Sequence, residues 1–409
     1  MMTRKNGLFV LTGVASIILL HFLLASVPGS IANPSRQKIG IDSGVRVVHN
    51  KMGGLWGNDP KIAIEFVRTI GNVDTDDENL AFSSPLDMVE DESGSLYILD
   101  SGNQRIQVFG PDGKYLRTIG RKGQGPGEFA SLNSIAVDRQ GNLHVLDDAQ
   151  KRIQVLTPQG EVLKTIPVTK LRLDRIRLLG TGTLVTRGYE VFGMGGVSEN
   201  KAQPKLVKLL GPGLEVVGEF GEPFDYGDEI TNRIGNSLSF AVDGEDRVCL
   251  CFVYQNRVEK YSPEGRLLWR ADRELNYSTK LLEKGRQEVT GNSTRYYAPK
   301  LNRVTDALAA DGKGRVWVVT RDRQIRKEEE VTIMVSGSVD RGSTRKVVGD
   351  TDLRKTDMYK LEVFGPDGVL LGAIPLTHFV DGIWIHHDRL FLLDRDRGVQ
   401  FFEYKIKEI

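Results

Sequence analysis

The chain contains one unit twice: residues 82–113 read FSSPLDMVEDESGSLYILDSGNQRIQVFGPDG, and residues 129–160 read FASLNSIAVDRQGNLHVLDDAQKRIQVLTPQG. Asp100 matches Asp147, Arg105 matches Arg152, and every matched pair lies 47 residues apart without a gap. A fixed period of this length indicates a solenoid, a propeller or another repeat array. Within each unit, short apolar runs separated by glycine-containing turns predict four antiparallel strands, which we label a to d.

Weaker copies of the unit occupy most of the remaining chain. They cover residues 174–213, 238–265, 305–320 continued at 359–368, and 381–404. Six four-stranded antiparallel units arranged radially form a propeller. The sequence therefore predicts an all-β fold, a six-bladed β-propeller with four-stranded antiparallel blades.

The last unit lacks a strand d of its own: only residues 404–409 follow its strand c. Residues 65–71, EFVRTIG, match residues 114–120, KYLRTIG, which form strand d of the first complete unit. We therefore expect an N-terminal strand to complete the last blade. This strand would close the ring and cover a sheet edge that would otherwise be exposed.

Residues 1–32 have the pattern of a targeting segment. Two basic residues precede an apolar run over residues 8–27, and small residues fit a cleavage site after Ala32. The run is also long enough to span a bilayer, so a cleaved signal peptide and an uncleaved membrane anchor both remain open. In either case we expect an exported chain, periplasmic or extracellular. Residues 33–60 would be an irregular leader and residues 61–409 the propeller.

The low net charge argues against nucleic-acid binding, and the scarcity of reactive side chains argues against catalysis. The formal net charge of the 409-residue chain is +1, which removes the usual electrostatic argument for nucleic-acid binding. Cys249 and Cys251 lie two positions apart on a predicted strand, a poor geometry for a disulfide, so we expect both in the core. No Ser-His-Asp or Cys-His arrangement can be argued from the sequence. We therefore predict a non-catalytic protein without a cofactor.

The repeated unit resembles the NHL repeat of six-bladed propellers. The residues that carry the resemblance are Asp100, Asn103, Arg105 and Ile106, with IAVD at 135–138. The sequence GPGEF at 125–129 is similar to a junction in exported bacterial members. The resemblance implies an exported bacterial propeller of the NHL type over residues 61–409. It implies no particular activity, because propellers carry many functions.

Every long link between predicted strands runs from d to a or from b to c, and both classes emerge on one face of a propeller. These links are residues 120–131, 189–203, 221–237, 271–304 and 321–357. Long loops on a rigid scaffold commonly carry binding sites. We therefore expect this loop-bearing face to bind a protein, a peptide or a glycan. We predict a helix over residues 281–289, while a β-hairpin and a partly disordered loop both fit residues 321–357.

Tyrosine and arginine side chains on or beside these links are the predicted contacts, because both types are enriched in interfaces. The predicted set is Arg187, Tyr189, Tyr226, Arg233, Tyr277, Arg295, Tyr296, Tyr297, Arg321 and Arg323. The other interpretation, inert loops whose tyrosines pack onto the propeller, stays open.

A calcium site at the mouth of the central channel is the alternative hypothesis. The repeat register places polar residues at the start of strand a in four units: Asn133, Asp174, Asp306 and Asp381. Converging oxygen ligands suit calcium, and the arrangement resembles the channel-mouth metal sites of propeller lactonases and related hydrolases. That resemblance implies a calcium-dependent hydrolase or lyase. Turn capping by the same side chains is the competing explanation.

Overall fold

The computed structural model is a six-bladed β-propeller, and it describes residues 37–72, 74–169, 171–188, 204–290, 293–338 and 342–409. In every blade, strands a to d are neighbours in one antiparallel sheet. The a strands of adjacent blades lie against each other and surround the central channel. The predicted all-β fold and its four-stranded blades are confirmed.

The strands of blades 1 to 3 follow the repeat. Blade 1 contains Pro85–Glu90, Leu96–Asp100, Arg105–Phe109 and Tyr115–Ile119. Blade 2 contains Leu132–Val137, Leu143–Asp147, Arg152–Leu156 and Val162–Pro167. Blade 3 contains Ile176–Leu178, Leu184–Arg187, Val207–Leu210 and Val216–Phe220.

Blades 4 to 6 have the same strand order as blades 1 to 3. Blade 4 contains Leu238–Val242, Val248–Phe252, Val258–Tyr261 and Leu267–Arg273. Blade 5 contains Thr305–Ala310, Val316–Arg321, Tyr359–Phe364 and Leu370–Pro375. Blade 6 contains Gly382–His386, Arg389–Asp394, Gln400–Glu408 and Ile62–Ile70. A short parallel pair, Arg121–Lys122 with Glu128–Phe129, lies between blades 1 and 2.

Aspartate-anchored turns connect strands a and b. In blade 2, the Asp138 carboxylate accepts hydrogen bonds from the backbone N–H groups of Gln140 (2.9 Å) and Asn142 (2.8 Å). Gly141 has a φ of 81°, a conformation that glycine adopts without steric cost. The same carboxylate-to-backbone pattern recurs at Asp91, Asp243 and Asp311. These repeated aspartates therefore stabilise turns.

The N-terminal strand Ile62–Ile70 closes the ring as the sequence predicts. It pairs antiparallel with Gln400–Glu408 along its whole length, with one irregularity between Phe66 and Arg68. Both edges of Gln400–Glu408 are thereby paired within blade 6. Closure joins two distant parts of the chain by backbone hydrogen bonds and covers a sheet edge.

The leader is more ordered than expected, so the prediction of an irregular segment over residues 33–60 is wrong for part of it. Gln37–Asp42 and Val45–Asn50 form a hairpin, and Val45–Asn50 runs parallel beside strand d of blade 4. The side chain of Asn50 donates to the carbonyl of Gly368 (3.1 Å) and accepts from the N–H of Leu370 (2.8 Å) in blade 5. The outer strand of blade 4 supplies the pairing partner, which sequence periodicity alone cannot reveal.

Apolar packing occurs between adjacent blades. Six clusters of buried side chains each combine residues of two neighbouring blades, so the core is a closed ring of interfaces. The cluster between blades 6 and 1 includes Ile70, Phe109 and Phe401. Cys249 and Cys251 are free, buried thiols in the cluster between blades 4 and 5, as expected.

Within the described part of the chain, no helix has the length and apolar character needed to cross a bilayer. The α-helix described is Glu229–Gly235, and one 3₁₀ turn spans Lys327–Glu329. The predicted signal peptide or anchor, residues 1–32, lies outside the described residues.

Shortening the side chain of Ile70, at the buried end of the closing strand, should destabilise the whole ring. Ile70 is 2% exposed in the cluster that joins blades 6 and 1. We expect Ile70→Ala to lower the free energy of unfolding by about 2–5 kcal/mol, because a buried cavity replaces packed side chain. Val67→Ala on the same strand is the control: its side chain is exposed, so the expected change is within about 0.5 kcal/mol. Urea unfolding measures both, and equal values would contradict this role of Ile70.

Candidate functional site

The lengths of the strand connections divide the propeller into two different faces. Every described a–b and c–d turn contains five residues or fewer. All connections of twelve residues or more are d–a or b–c links: 71–84, 120–131, 188–206, 221–237, 274–304 and 322–358. The strand order therefore confirms that long links share one face, although residues 189–203 lie outside the described chain.

Three of these links lie over blades 3 to 5, and we call their described parts the crown: residues 221–237, 274–304 and 322–358. Hydrogen bonds connect them into one unit. The Gly285 N–H donates to the Thr231 hydroxyl (2.9 Å), which ties the second link to the first. Gln324 donates to the Arg303 carbonyl (2.8 Å) and accepts from the Arg303 N–H (3.1 Å), which ties the second to the third.

The crown contains two β-hairpins. Arg286–Thr290 pairs with Ser293–Tyr297, so the predicted helix over residues 281–289 is wrong. Cross-strand contacts favour the hairpin: the Tyr297 hydroxyl donates to Glu288 (2.9 Å), and the Arg286 guanidinium lies over the Tyr297 ring at 4.5 Å. Thr332–Ser338 pairs with Gly342–Val348, which confirms the hairpin alternative for the third link.

Several predicted contact residues instead anchor the crown and the channel mouth. The Tyr277 hydroxyl donates to the Arg321 carbonyl (2.8 Å), and burial raises the pKa of Tyr277. Arg323 binds both carboxylate oxygens of Glu329, at 2.6 and 2.7 Å, and also pairs with Asp357. These side chains hold the third link against the propeller.

The other members of the predicted set have different positions. Arg187 pairs with Asp174 and donates to the Leu238 carbonyl (3.1 Å), and burial lowers the pKa of Arg187 to about 10. Tyr226 is half-buried, and its ring covers Gly235 at the end of the helix. Arg233 is half-buried in the last turn of that helix, and Tyr189 lies outside the described residues.

Arg295, Tyr296 and Tyr297 are the predicted residues that remain at the surface. Arg295 and Tyr296 are exposed, and Tyr297 is half-buried. They are accompanied by exposed large apolar side chains on all three links of the crown: Phe224, Leu282, Val289, Ile325 and Val348. No exposed large apolar side chain among the described residues belongs to an a–b or c–d turn. The sequence analysis missed these apolar residues, because exposure depends on which links fold against the propeller.

The four predicted calcium ligands do not form a shared cluster. Asp306 binds Arg321 at 2.8 and 3.2 Å and pairs with Arg303, while Asp174 pairs with Arg187. Asn133 and Asp306 occupy the irregular position at the start of strand a. Asp381 accepts from the Arg395 N–H (2.9 Å), and burial raises its pKa to about 6.

The described residues hold no group of three or more His, Cys, Asp or Glu side chains able to bind a metal ion. Arginine partners already compensate two of the three predicted carboxylates. The calcium site therefore stays a prediction without a supporting ligand cluster.

The central channel contains a cavity of about 380 Å³ that the sequence analysis did not predict. It is bounded by residues from the a strands of all six blades and reaches the a–b turns of blades 2 to 4. Apolar wall residues include Met88, Phe240, Leu308 and Ile383, and Arg175, Arg177 and His386 supply polar groups.

Asp87 lies beside this cavity and connects four blades. Its carboxylate, 1% exposed, accepts hydrogen bonds from Ser134 in blade 2 (2.6 Å), Arg177 in blade 3 (2.8 and 2.9 Å) and Trp384 in blade 6 (3.1 Å). Burial opposes ionisation of Asp87. Arg177, followed by Arg175, outweighs that cost and holds the pKa of Asp87 well below its usual range.

Comparison with known proteins supports the fold. The profile of a family described as a 6-bladed beta-propeller matches residues 64–168, which hold the closing strand and blades 1 and 2. The crystal structure of a DUF4221-family member from Bacteroides vulgatus is similar with a TM-score of 0.54 and 12% identity, covering 85% of this chain and 99% of that chain.

A second crystal structure, of a Bacteroides fragilis protein provisionally named as exported, has a TM-score of 0.53 and 12% identity over 89% of this chain and 99% of that chain. No curated protein sequence matches the chain. Likeness at such identity shows the fold alone.

Neutralisation of Asp87 should be among the most damaging single changes in the ring. We expect Asp87→Asn to lower the free energy of unfolding by about 3–5 kcal/mol, because it leaves buried Arg177 without its countercharge. The pKa of Asp87 is depressed in the folded state, so its stabilisation is complete above the unfolded-state pKa of about 3.9 and is lost as pH falls below it.

Denaturant unfolding of the wild type and the variant between pH 3 and 7 tests this expectation. The difference between them should be largest at neutral pH and should shrink on acidification. Asp112→Asn changes an exposed carboxylate on a c–d turn and is the matched control, with little change expected. A variant as stable as the wild type at pH 7 would show that Asp87 does not hold the inner ring together.

Proposed function

We propose that this protein is an exported, non-catalytic propeller of the NHL type that binds a partner protein through the crown. One observation carries the proposal: six exposed large apolar side chains lie on the three links of the crown, and the described turns of the opposite face carry none. Grouped exposed apolar side chains commonly mark interaction surfaces. Other exposed apolar side chains lie on the leader and on outer strands. The propeller supplies the rigid support.

The chemistry of the crown suits a protein surface. The hairpin Arg286–Tyr297 presents Val289 and Tyr296, and Leu282 precedes it; their exposed fractions are 66%, 60% and 68%. Aromatic and arginine side chains are typical centres of protein interfaces. Val289 and Tyr296 lie on the same side of the hairpin, and Arg295, which is paired with Glu288, lies on the other. A glycan is the alternative ligand class, and the experiment below distinguishes it from a protein.

Internal anchors make the crown suitable for binding. Tyr277 and Arg323 are held by hydrogen bonds and ion pairs within the fold. Pre-ordering a surface before association reduces the entropy that binding must overcome. The predicted tyrosines and arginines that are buried therefore support the binding surface without forming its contacts.

The export part of the proposal rests on the sequence of residues 1–32, in which two basic residues precede an apolar run and small residues. The structurally similar Bacteroides fragilis protein has a name that describes export. That name belongs to the other protein, and here it supports the proposal only as an analogy. Fractionation of cells that produce the full chain would locate it.

Removal of the apolar contacts of the crown should abolish partner capture without unfolding the protein. The test variant combines Leu282→Ser, Val289→Ser and Tyr296→Ser. Chemical cross-linking in the native organism, followed by quantitative mass spectrometry, identifies partners of the wild type. We expect the recovery of a specific partner to fall at least about tenfold, because loss of central interface side chains commonly costs 1–2 kcal/mol each. Thermal unfolding should be nearly unchanged, since all three side chains are exposed.

The control variant changes three equally exposed side chains on outer d strands: Leu116→Ser, Leu163→Ser and Val217→Ser. It should retain the partner. Equal recovery with the crown variant and the wild type would contradict the proposed surface, and equal loss with both variants would indicate nonspecific adhesion. If the purified wild type binds a glycan array and the crown variant does not, the ligand of the crown is a glycan and not a protein.

A further inference from the structure

We propose that the central channel is a binding site for a compact organic anion, whose carboxylate is held by Arg175 and whose apolar part lies against the inner strands. This site is separate from the crown, and the inference goes beyond the proposed protein-binding function. It rests on the size and apolar walls of the cavity and on the weak contact between Arg175 and a carboxylate that Arg177 already occupies.

The size and the walls of the cavity suit a small molecule. Its volume of about 380 Å³ lies within the range of about 300–1,000 Å³ that is typical of small-ligand pockets. Met88, Phe240, Leu308 and Ile383 contribute apolar walls from blades 1, 4, 5 and 6. A rigid ring of inner strands surrounds the site, so the binding volume exists before a ligand arrives.

Two arginines lie beside Asp87 at the wall of the cavity. Arg177 is fully engaged, with two hydrogen bonds to Asp87 and one to the Ile176 carbonyl (2.7 Å). Arg175 is the second guanidinium beside the same carboxylate, and its nearest Asp87 oxygen is 3.6 Å away. Two arginines therefore share one carboxylate, and Arg175 has the weaker contact with it.

Asp87 cannot satisfy Arg175 as well. The oxygen that faces Arg175 already accepts from Arg177, from Trp384 (3.1 Å) and from the Met88 N–H (3.1 Å). The Arg175 guanidinium approaches this oxygen only to 3.6 Å, and its side chain is 28% exposed. Burial lowers the pKa of Arg175. A planar guanidinium is suited to a bidentate carboxylate.

His386 contributes a neutral imidazole to the wall of the cavity. Burial, followed by the charges of Arg389 and Arg177, lowers the pKa of His386 to about 3. Its Nε2 atom is buried and has no hydrogen-bond partner among the described residues. Because that atom has almost no accessible surface, the ligand's carboxylate is assigned to Arg175 alone.

The remaining charged residues of the cavity are paired at its turn end. Asp243 binds Arg247 and Lys260, each at 2.8 Å, and Asp138 contacts His144 at 3.1 Å. Arg139 and Asp246 approach within 3.8 Å at the rim. Arg175 therefore presents its guanidinium to the channel away from the acidic turn end, and a monoanion with an apolar body matches this donor and the apolar walls.

Benzoate and hexanoate are the probes, and benzamide and hexanamide are their uncharged counterparts. Isothermal titration calorimetry and thermal unfolding should show that at least one carboxylate binds the full-length protein and raises its Tm, while its amide has at least about tenfold weaker affinity. Arg175→Gln should weaken carboxylate binding by at least about tenfold. Arg121→Gln removes an exposed arginine outside the cavity and should leave binding unchanged.

Three results would overturn the inference: no binding of either carboxylate, equal binding of the carboxylates and their amides, or equal carboxylate binding to the wild type and Arg175→Gln. Should Arg175→Gln not fold, Arg175→Lys preserves the charge but not the planar fork and should show weakened binding. The crown variant should bind the carboxylate probe like the wild type, so failure of the crown proposal and failure of this one give different results.

Discussion

The carboxylate of Asp87 is the interaction on which the inner ring of the propeller depends. It belongs to blade 1 and accepts hydrogen bonds from blades 2, 3 and 6. A buried carboxylate is costly unless charged and hydrogen-bonding partners surround it. The inner strands of these blades must therefore lie where every donor reaches the same group. Their spacing also sets the width of the central cavity.

Buried ion pairs repeat this principle farther from the axis. Arg273 of blade 4 donates to Glu362 of blade 5 at 2.8 Å, and Arg389 of blade 6 pairs with Glu90 of blade 1 at 3.1 Å. Apolar clusters fill the same interfaces, so blade-to-blade packing combines non-directional burial with directional charge pairs. Against this background of paired arginines, Arg175 is distinctive because its neighbouring carboxylate is already occupied.

Local sequence patterns predict the propeller, but they do not predict the hairpin in the crown or the strands of the leader. The 47-residue period, the glycine turns and the match between residues 65–71 and 114–120 act along the chain, and the blades and the closing strand follow them. The predicted helix over residues 281–289 is a hairpin, because cross-strand contacts such as Tyr297 to Glu288 outweigh local propensity. The leader strand Val45–Asn50 forms because blade 4 offers an edge to pair with.

Periodicity and turn chemistry are local properties, so the number of blades, the strand order and the face that carries the long links can be predicted from the sequence. Which side chains are available for binding depends on how the links fold against the ring. Tyr277 and Arg323 look like contacts in the sequence, yet both are anchors. Asp87 and Arg177 are 90 positions apart, and Asp87 and Trp384 are 297 apart. Burial and charge balance depend on such distant neighbours, which come together only when the ring closes.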